Sequence, residues 1–441
     1  MIEDLFQFLR FPSISADSKY RPEVDACAGW LTDRLHKIGL EARKIPTAGQ
    51  PVVLAKSRRD PAKRTVLIYG HYDVQPVDPL DLWKTPPFEP NVRDEKIFAR
   101  GATDNKGQIM AHILGVEETL KEKRELPVNV IFLIEGEEEI GSPSLEEFLK
   151  TYANELAADI IAISDTSMIA PGTPTFAYAT RGILCLEIRL RGPAADLHSG
   201  LFGGSVANPA TVLSELIAQL HDADGRVAIP GFYDRVKPIE SWERELWAAL
   251  PYDDRRWLAT TGAPALAGEA GFNTLERVWA RPTAEVNGIG GGYQGEGPKT
   301  IIPSRAFAKL SFRLVPDQEP TELRTIITKY LTKLCPHSLE LEVLYQEQGK
   351  PYLVNPDSKF GEKAQRALKR TFQKPIAFVR EGGSLPIIQS FKDVLGLDSL
   401  LLGLALPDCN AHSPNENFPI ENFAAGIRLN RNLLEEIGAA A

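Results

Sequence analysis

Four glutamates fall within five positions of the stretch FLIEGEEEIGS: Glu135, Glu137, Glu138 and Glu139. Like charges this close repel, so the cluster asks for a cation or a reaction that uses it. Two more chemistry-capable groups follow apolar runs in the same way. VLIYG leads into His71-Tyr72-Asp73, and DIIAIS leads into Asp165. Asp104 lies in RGATDNKGQ, where a helix is predicted to start, and His412 lies in LPDCNAHSPNE. Each has a plain explanation by itself. Asp104 suits an N-cap, a glutamate run suits a solvated face, and His71 suits a satisfied histidine. Taken together, a mixed imidazole and carboxylate set at successive strand ends suits a divalent transition-metal site.

The reaction that needs these residue types is hydrolysis by two metal ions. Ions roughly 3.5 to 4 Å apart require a carboxylate between them, ligands on each flank, and a carboxylate base for the shared water. A histidine ligand also wants a carboxylate on its second nitrogen to fix its tautomer. His71 and Asp73, two residues apart at a strand end, point the same way and meet that need.

The elements that must position these groups follow from the hydrophobic pattern. RPEVDACAGWLTDRLHKIGL reads as an amphipathic helix ending near Gly39, and PVVLAKS and RTVLIYG read as strands. DNKGQIMAHILGVEETLKEK is helical, VNVIFLIEG is a continuous apolar strand, SPSLEEFLKTYA is a helix, and DIIAIS is a buried strand. Buried strands alternating with helices predict an α/β layer with a mainly parallel sheet, whose strand ends form a natural crevice. From about Arg181 the pattern changes. GILCLEIRLRG, AFAKLSFRLVPD and SLELEVLYQ alternate like half-exposed strands, joined by NPATVLSELIAQLHD and EPTELRTIITKYLTKLC as helices. The buried pattern returns with a helix, PIAFVRE, LPIIQSF, DSLLLGLAL and a closing helix from about Glu421. The expected organisation is therefore a catalytic α/β domain in two parts, 1–180 and 351–441, interrupted by an inserted α+β domain over 181–350. No chemistry attaches to the irregular stretch 231–271. EVNGIGGGYQGEGPKT reads as a flexible loop near substrate, and its glycines are no dinucleotide fingerprint, because no βαβ unit surrounds them.

Composition narrows the class. The 441 residues are 43% hydrophobic, and the net charge of -9 argues against nucleic acid or an anionic membrane as partner. No apolar run reaches the roughly 18 to 20 residues of a membrane span, and MIEDLFQFLRFPSIS lacks the pattern of a signal peptide. Cys27, Cys185, Cys335 and Cys409 form no CxxC pair, which suits free thiols in a cytoplasmic protein.

GHYDVQP, RGATDNKGQ, EGEEEIGS, ISDTS and NAHSPNE, in this order, resemble the five metal-site motifs of the co-catalytic metallopeptidase family of aminoacylases, carboxypeptidase G and cytosolic nonspecific dipeptidases. The resemblance spans the chain and implies a catalytic domain of the phosphorylase/hydrolase type with an inserted lid and dimerisation domain. It implies two divalent ions per subunit, zinc first, with manganese or cobalt as alternatives. Asp104 is then the bridging ligand, His71 and Asp165 hold one metal, and Glu139 and His412 hold the other. Asp73 orients His71, Glu138 is the general base acting on a metal-bridged water, and a cis peptide is expected at Asp104–Asn105. DLHSGLFGG supplies His198, which in family dimers reaches into the neighbouring subunit's site to polarise the scissile carbonyl. GPKTIIPSRAFAKLSFRL supplies Thr300 and Arg313, and VREGGSLP supplies Glu381 and Ser384, as substrate-binding residues. These resemble the dipeptidase subgroup more than the deacylases. A dipeptidase acting on small peptides as a homodimer is therefore expected, with an N-acyl-amino-acid deacylase on the same scaffold as the rival and a catalytically dead binding protein as the remote third.

Overall fold

The computed structural model describes residues 2–439. Its main sheet has nine strands, running in the order Glu41–Ile45, Val52–Lys56, Asn129–Glu135, Thr65–His71, Ile160–Ile163, Ser399–Leu401, Thr175–Thr180 and Tyr352–Leu353, with Ala377–Glu381 also pairing with Thr175–Thr180. The three central pairings are parallel, and the outer ones are antiparallel except that of Ala377–Glu381 with Thr175–Thr180, which is parallel. Every residue of Asn129–Glu135 is buried, because helices cover both faces and leave no side of the strand in water. The parallel register sets His71 beside Glu135, so two of the chemistry-bearing segments leave the sheet side by side. The chain is thus a mixed α/β fold with a mainly parallel central sheet and additional antiparallel sheets.

The strands Thr283–Gly291, Arg305–Leu314, Gly182–Arg191 and Glu340–Gly349 form a separate antiparallel sheet in that order. Arg305–Leu314 alternates exposed and buried along its length, as expected when one face is covered and the other is open. The helices Pro209–Ala218 and Pro320–Leu334 cover that face, and Leu186, Ile188, Leu310, Phe312, Ile327 and Leu331 fill a core of its own. The chain passes between the two sheets at Gly182 and again at Gly349 to Pro351. A Cβ on Gly182 would lie 2.6 Å from Gly349 O and 2.7 Å from Pro351 N, so only glycine lets these crossings touch.

Four segments differ from the sequence reading. EARKI and TFAYAT are strands the pattern did not single out, the first an edge strand with mixed burial and the second a short strand buried throughout. LPIIQSF lies in the helix Pro386–Leu395, where proline at the first turn favours helix entry and a short apolar run cannot distinguish helix from strand. EVNGIGGGYQGEGPKT is an edge strand as far as Gly291, not a loop throughout. Within 231–271 the helix Ser241–Ala248 packs on the strand Ala377–Glu381 through Glu243, which pairs with Arg380 and accepts from Tyr178 Oη at 2.6 Å. Arg281 grips Glu269 through two 2.7 Å bonds, which anchors the end of that stretch.

Candidate metal centre

His71 is the last residue of its strand and is fully buried. Its Nε2 lies 3.2 Å from Asp104 Oδ1, 3.7 Å from Asp165 Oδ2 and 3.9 Å from Glu138 Oε2. Its Nδ1 lies 3.1 Å from the Asp73 carbonyl oxygen and 3.3 Å from the Asp73 carboxylate. Asp73 is itself fixed from three sides. It accepts from Ser15 Oγ at 2.6 Å, from Glu138 N–H at 3.2 Å and from Glu139 N–H at 3.1 Å. The same carboxylate therefore sets the histidine ring and the backbone that carries Glu138 and Glu139.

The glutamate cluster separates into distinct environments. Glu135 accepts from Tyr69 Oη at 2.7 Å and Ser142 Oγ at 2.8 Å, and burial pushes its carboxyl up to about 7. Glu137 accepts from the N–H of Gln50 at 3.0 Å and of Ser144 at 3.3 Å. Glu138 and Glu139 open a short 3-10 turn and face the histidines, with Glu139 Oε2 3.3 Å from His412 Nε2 and 2.8 Å from Gln75 Nε2.

Asp104 joins the halves, since its Oδ2 lies 2.9 Å from His412 Nε2 while Oδ1 faces His71. It does not cap the following helix; the N-cap is Asn105, whose side chain makes no cap bond and instead donates to Ser164 O at 2.7 Å and Asp165 Oδ1 at 2.9 Å. The Asp104–Asn105 peptide is cis, as expected. Glu416, inside the fifth motif but without a role in the sequence reading, is fully buried and accepts from the N–H of Gly101, Thr103 and Asp104 and from Arg100. His412 is more exposed and has φ +60, a left-handed turn that presents its ring to Asp104.

Two donor sets result: His71, Asp104 and Asp165, and Asp104, Glu139 and His412, the ligand atoms of each lying within 4.8 Å of one another. Buried His71 Nε2, which faces Asp104 and Asp165, and buried Glu139 Oε1 have no hydrogen-bond partner. Unpartnered buried atoms are costly, and a cation would satisfy both. The electrostatics agree. Burial raises Glu138 and, to about 7, Asp165, with the other carboxylates adding to the rise in each. Hydrogen bonds to Asp104 and Glu139 push His412 up to about 10, so protons stand where metal charge would compensate the acids. The donor set fits a pair of divalent ions sharing Asp104.

The residues expected to bind substrate lie in two groups. Arg313 Nη1 donates to Ser384 Oγ at 2.8 Å, and half-buried Glu381 closes the strand Ala377–Glu381 three residues earlier. His198 is exposed on a two-stranded ribbon opposite Ile301, and its Nδ1 accepts from Gly200 N–H at 3.1 Å. Thr300 adjoins it, its carbonyl accepting from Ser199 N–H at 3.1 Å. Among the described residues neither His198 nor Thr300 side chain bonds to the donor cluster. Ser15, Gln75, Arg100 and Glu416 were missed by sequence reasoning, although Gln75 lies in GHYDVQP, Arg100 in RGATDNKGQ and Glu416 in NAHSPNE.

Comparison with known proteins agrees with this geometry. Residues 67–436 match the model of peptidase family M20/M25/M40. The chain is 34% identical to the Cys-Gly metallodipeptidase DUG1 of Candida albicans over all of this chain and 95% of that protein. It is 31% identical to the human Beta-Ala-His dipeptidase over 95% of this chain and 85% of that one. Among solved structures, the M20 family metallo-carboxypeptidase Sso-CP2 from Sulfolobus solfataricus superimposes with a TM-score of 0.88 at 35% identity, covering 99% of both chains. With two donor triads sharing Asp104, a family match across most of the chain and metallodipeptidase relatives over nearly its full length, the protein belongs to peptidase family M20/M25/M40 as a metallopeptidase of its dipeptidase subgroup.

Proposed function

We propose that the chain is an exopeptidase that hydrolyses the peptide bond of dipeptides or short peptides at a pair of divalent ions. One observation carries the reading: both donor triads share Asp104, and one buried side-chain atom on each of His71 and Glu139 has no hydrogen-bond partner. His71 and Asp165 are assigned to one ion, Glu139 and His412 to the other, and Asp104 to both. The imidazole and carboxylate donors suit zinc first, with manganese or cobalt as alternatives set by availability. Bound ions supply Lewis acidity to the attacking water and to the scissile carbonyl.

Glu138 is assigned as general base. Its carboxylate faces the shared donors, takes a proton from the attacking water and returns it to the leaving amine. Burial among acids favours a protonatable Glu138, which suits a group that must hold a proton between the two steps. Asp73 holds the His71 ring through Nδ1. Arg313 offers a fork for the substrate carboxylate, Ser384 supports that fork, and Glu381 with Asp165 receives the free amino group. His198, with Thr300 beside it, is assigned to carbonyl polarisation in the site of the partner subunit; its exposure on a projecting ribbon supports a role outside its own chain. That assignment entails a homodimer through the 181–350 lid, with catalytic segments 1–180 and 351–441. Among the described residues no helix is long and apolar enough to cross a membrane, and the four cysteines are free, which supports a cytoplasmic setting.

The test is a substrate panel on chelated and reloaded protein. Ala-Ala and Cys-Gly should be hydrolysed faster than N-acetyl and N-succinyl amino acids, and faster turnover of the acyl compounds would overturn the assignment. Glu138→Gln should keep both ions by elemental analysis and lower kcat by roughly a hundredfold or more. Unchanged turnover would remove Glu138 as the base.

A further inference from the structure

Arg181 takes no part in the scheme above, yet it holds the loop on which that scheme depends. It is the single residue between the strand Thr175–Thr180 and the strand Gly182–Arg191, where the chain leaves the large sheet for the small one. Its Nε donates to Gly382 O at 2.7 Å, and its backbone N–H donates to Gly383 O at 3.1 Å. These two bonds fix consecutive peptide units of the loop that follows Glu381. These are the two peptide units that lead from Glu381 to Ser384, so Arg181 holds the backbone immediately beyond the acid.

Beyond Arg181, the loop is also held where Arg313 Nη1 donates to Ser384 Oγ at 2.8 Å. Gly382 presses on Val278, whose Cγ1 would meet an added Cβ at 2.7 Å, so the backbone is seated from one side by an apolar contact. Arg380, the residue before Glu381, is held by buried Glu243, to which its Nε donates at 2.9 Å. Glu243 thus fixes the strand and Arg181 fixes the loop beyond it. Arg313 and Glu285 also lie near the Arg181 guanidinium. Burial and then Arg313 bring Arg181 down to about 10, while Glu285 and Glu381 favour its charge, so it stays cationic at neutral pH. Burial raises the Glu381 carboxyl above its ordinary range, and the Arg181 charge opposes that rise.

We propose that Arg181 is a positioning residue that sets the preference of the site for substrates with a free amino group, by fixing the Glu381–Ser384 loop from the crossing between the sheets. The proposal rests on the assignment of Glu381 as the receiver of that amino group. Lysine is no substitute, because it keeps a charge but cannot place a planar N–H against Gly382 O. Loss of one such bond involving a charged donor is worth about a factor of ten in binding.

The test compares the metal-loaded full chain with Arg181→Lys, Arg181→Gln and Glu381→Gln. Two quantities are read: KM for Ala-Ala, and Ki for propionyl-Ala, which is Ala-Ala without its amino group, as a competitive inhibitor of Ala-Ala turnover. Both Arg181 variants should raise KM about tenfold, lower kcat by less, and leave Ki within about twofold. A parallel rise in KM and Ki, the result of general disruption, overturns the proposal, as does an unchanged KM. Glu381→Gln reports on the underlying assignment. If it leaves the ratio of Ki to KM at the wild-type value, Glu381 does not receive the amino group and the Arg181 proposal falls with it. If it collapses the ratio while Arg181→Lys and Arg181→Gln preserve it, only the Arg181 proposal falls.

Discussion

Replacing Glu416 by glutamine should weaken both metal positions at once, although Glu416 touches neither donor set with its own side chain. Its Oε1 accepts from the N–H of Thr103 at 2.9 Å and of Asp104 at 3.0 Å, and its Oε2 accepts from the N–H of Gly101 at 3.0 Å and from Arg100 Nη1 at 2.7 Å. All four donors face oxygens, so the amide NH2 of glutamine meets two opposed N–H groups in either orientation. Arg100 is 1% exposed and Glu416 0%, so Arg100 loses its buried counter-charge with no water to replace it. Breaking one side of such a pair costs about 3 to 5 kcal/mol. The loss falls on the backbone that presents Asp104, the residue common to both triads, and supporting groups of this kind usually change metal affinity by about 10 to 100-fold. Thermal unfolding of the chelated protein and calorimetric titration with zinc measure the two effects separately. The expected outcome is lower apo stability together with weaker binding of both ions. A destabilised variant that binds two ions with wild-type affinity would refute the link from Glu416 to Asp104, and unchanged stability would refute the buried-pair argument.

Three further outcomes follow from the same geometry. Asp73→Asn should lower metal affinity about 10 to 100-fold, because one of its oxygens no longer accepts from Ser15 or the Glu138 and Glu139 peptides; titration of the reloaded apo protein checks this. Gly182→Ala should destabilise the chain by about 1 to 3 kcal/mol, since its Cβ meets Gly349 O and Pro351 N, and urea unfolding reads the change. His112 is fully buried beside Ser164 Oγ and burial pulls it down to about 3, below its ordinary 6.5. The unfolded chain therefore takes the proton first, and the His112 contribution is complete above about pH 6.5 and lost as pH falls toward about 3. Going from pH 7.5 to 5.5 should remove about 1.4 kcal/mol of His112 contribution, read as the amount by which the wild type loses more stability than His112→Gln in urea titrations at the two pH values.

The donor residues were legible because each sits within a few residues of a strand or helix end, where local pattern and chemistry coincide. His71 closes a β-branched run, and Glu138 and Glu139 follow another. The alternating strands of the second sheet were equally readable, since one open face imposes a period of two. What could not be read depends on distant parts of the chain. Ser15 meets Asp73 from 58 residues away and Glu416 meets Asp104 from 312, and neither contact leaves a local signature. Glu243 reads as surface in a charged helix, and only the packing of that helix on Ala377–Glu381 makes it an interior anion. The strand TFAYAT escaped notice because six residues buried on both faces carry no alternation. The division of labour among the glutamates came from motif resemblance; their hydrogen-bond partners came only from the fold.

The position of Ser399–Leu401 in the main sheet has a consequence for biogenesis. This strand lies between Ile160–Ile163 and Thr175–Thr180, yet a ribosome makes it after the entire 182–349 sheet. Until it arrives, two apolar strands wait with open edges, and such edges invite pairing with other chains. His412 follows in the same late segment, so the early donors cannot complete their second triad during that interval. Completion of the second donor triad thus marks a chain whose central gap has closed.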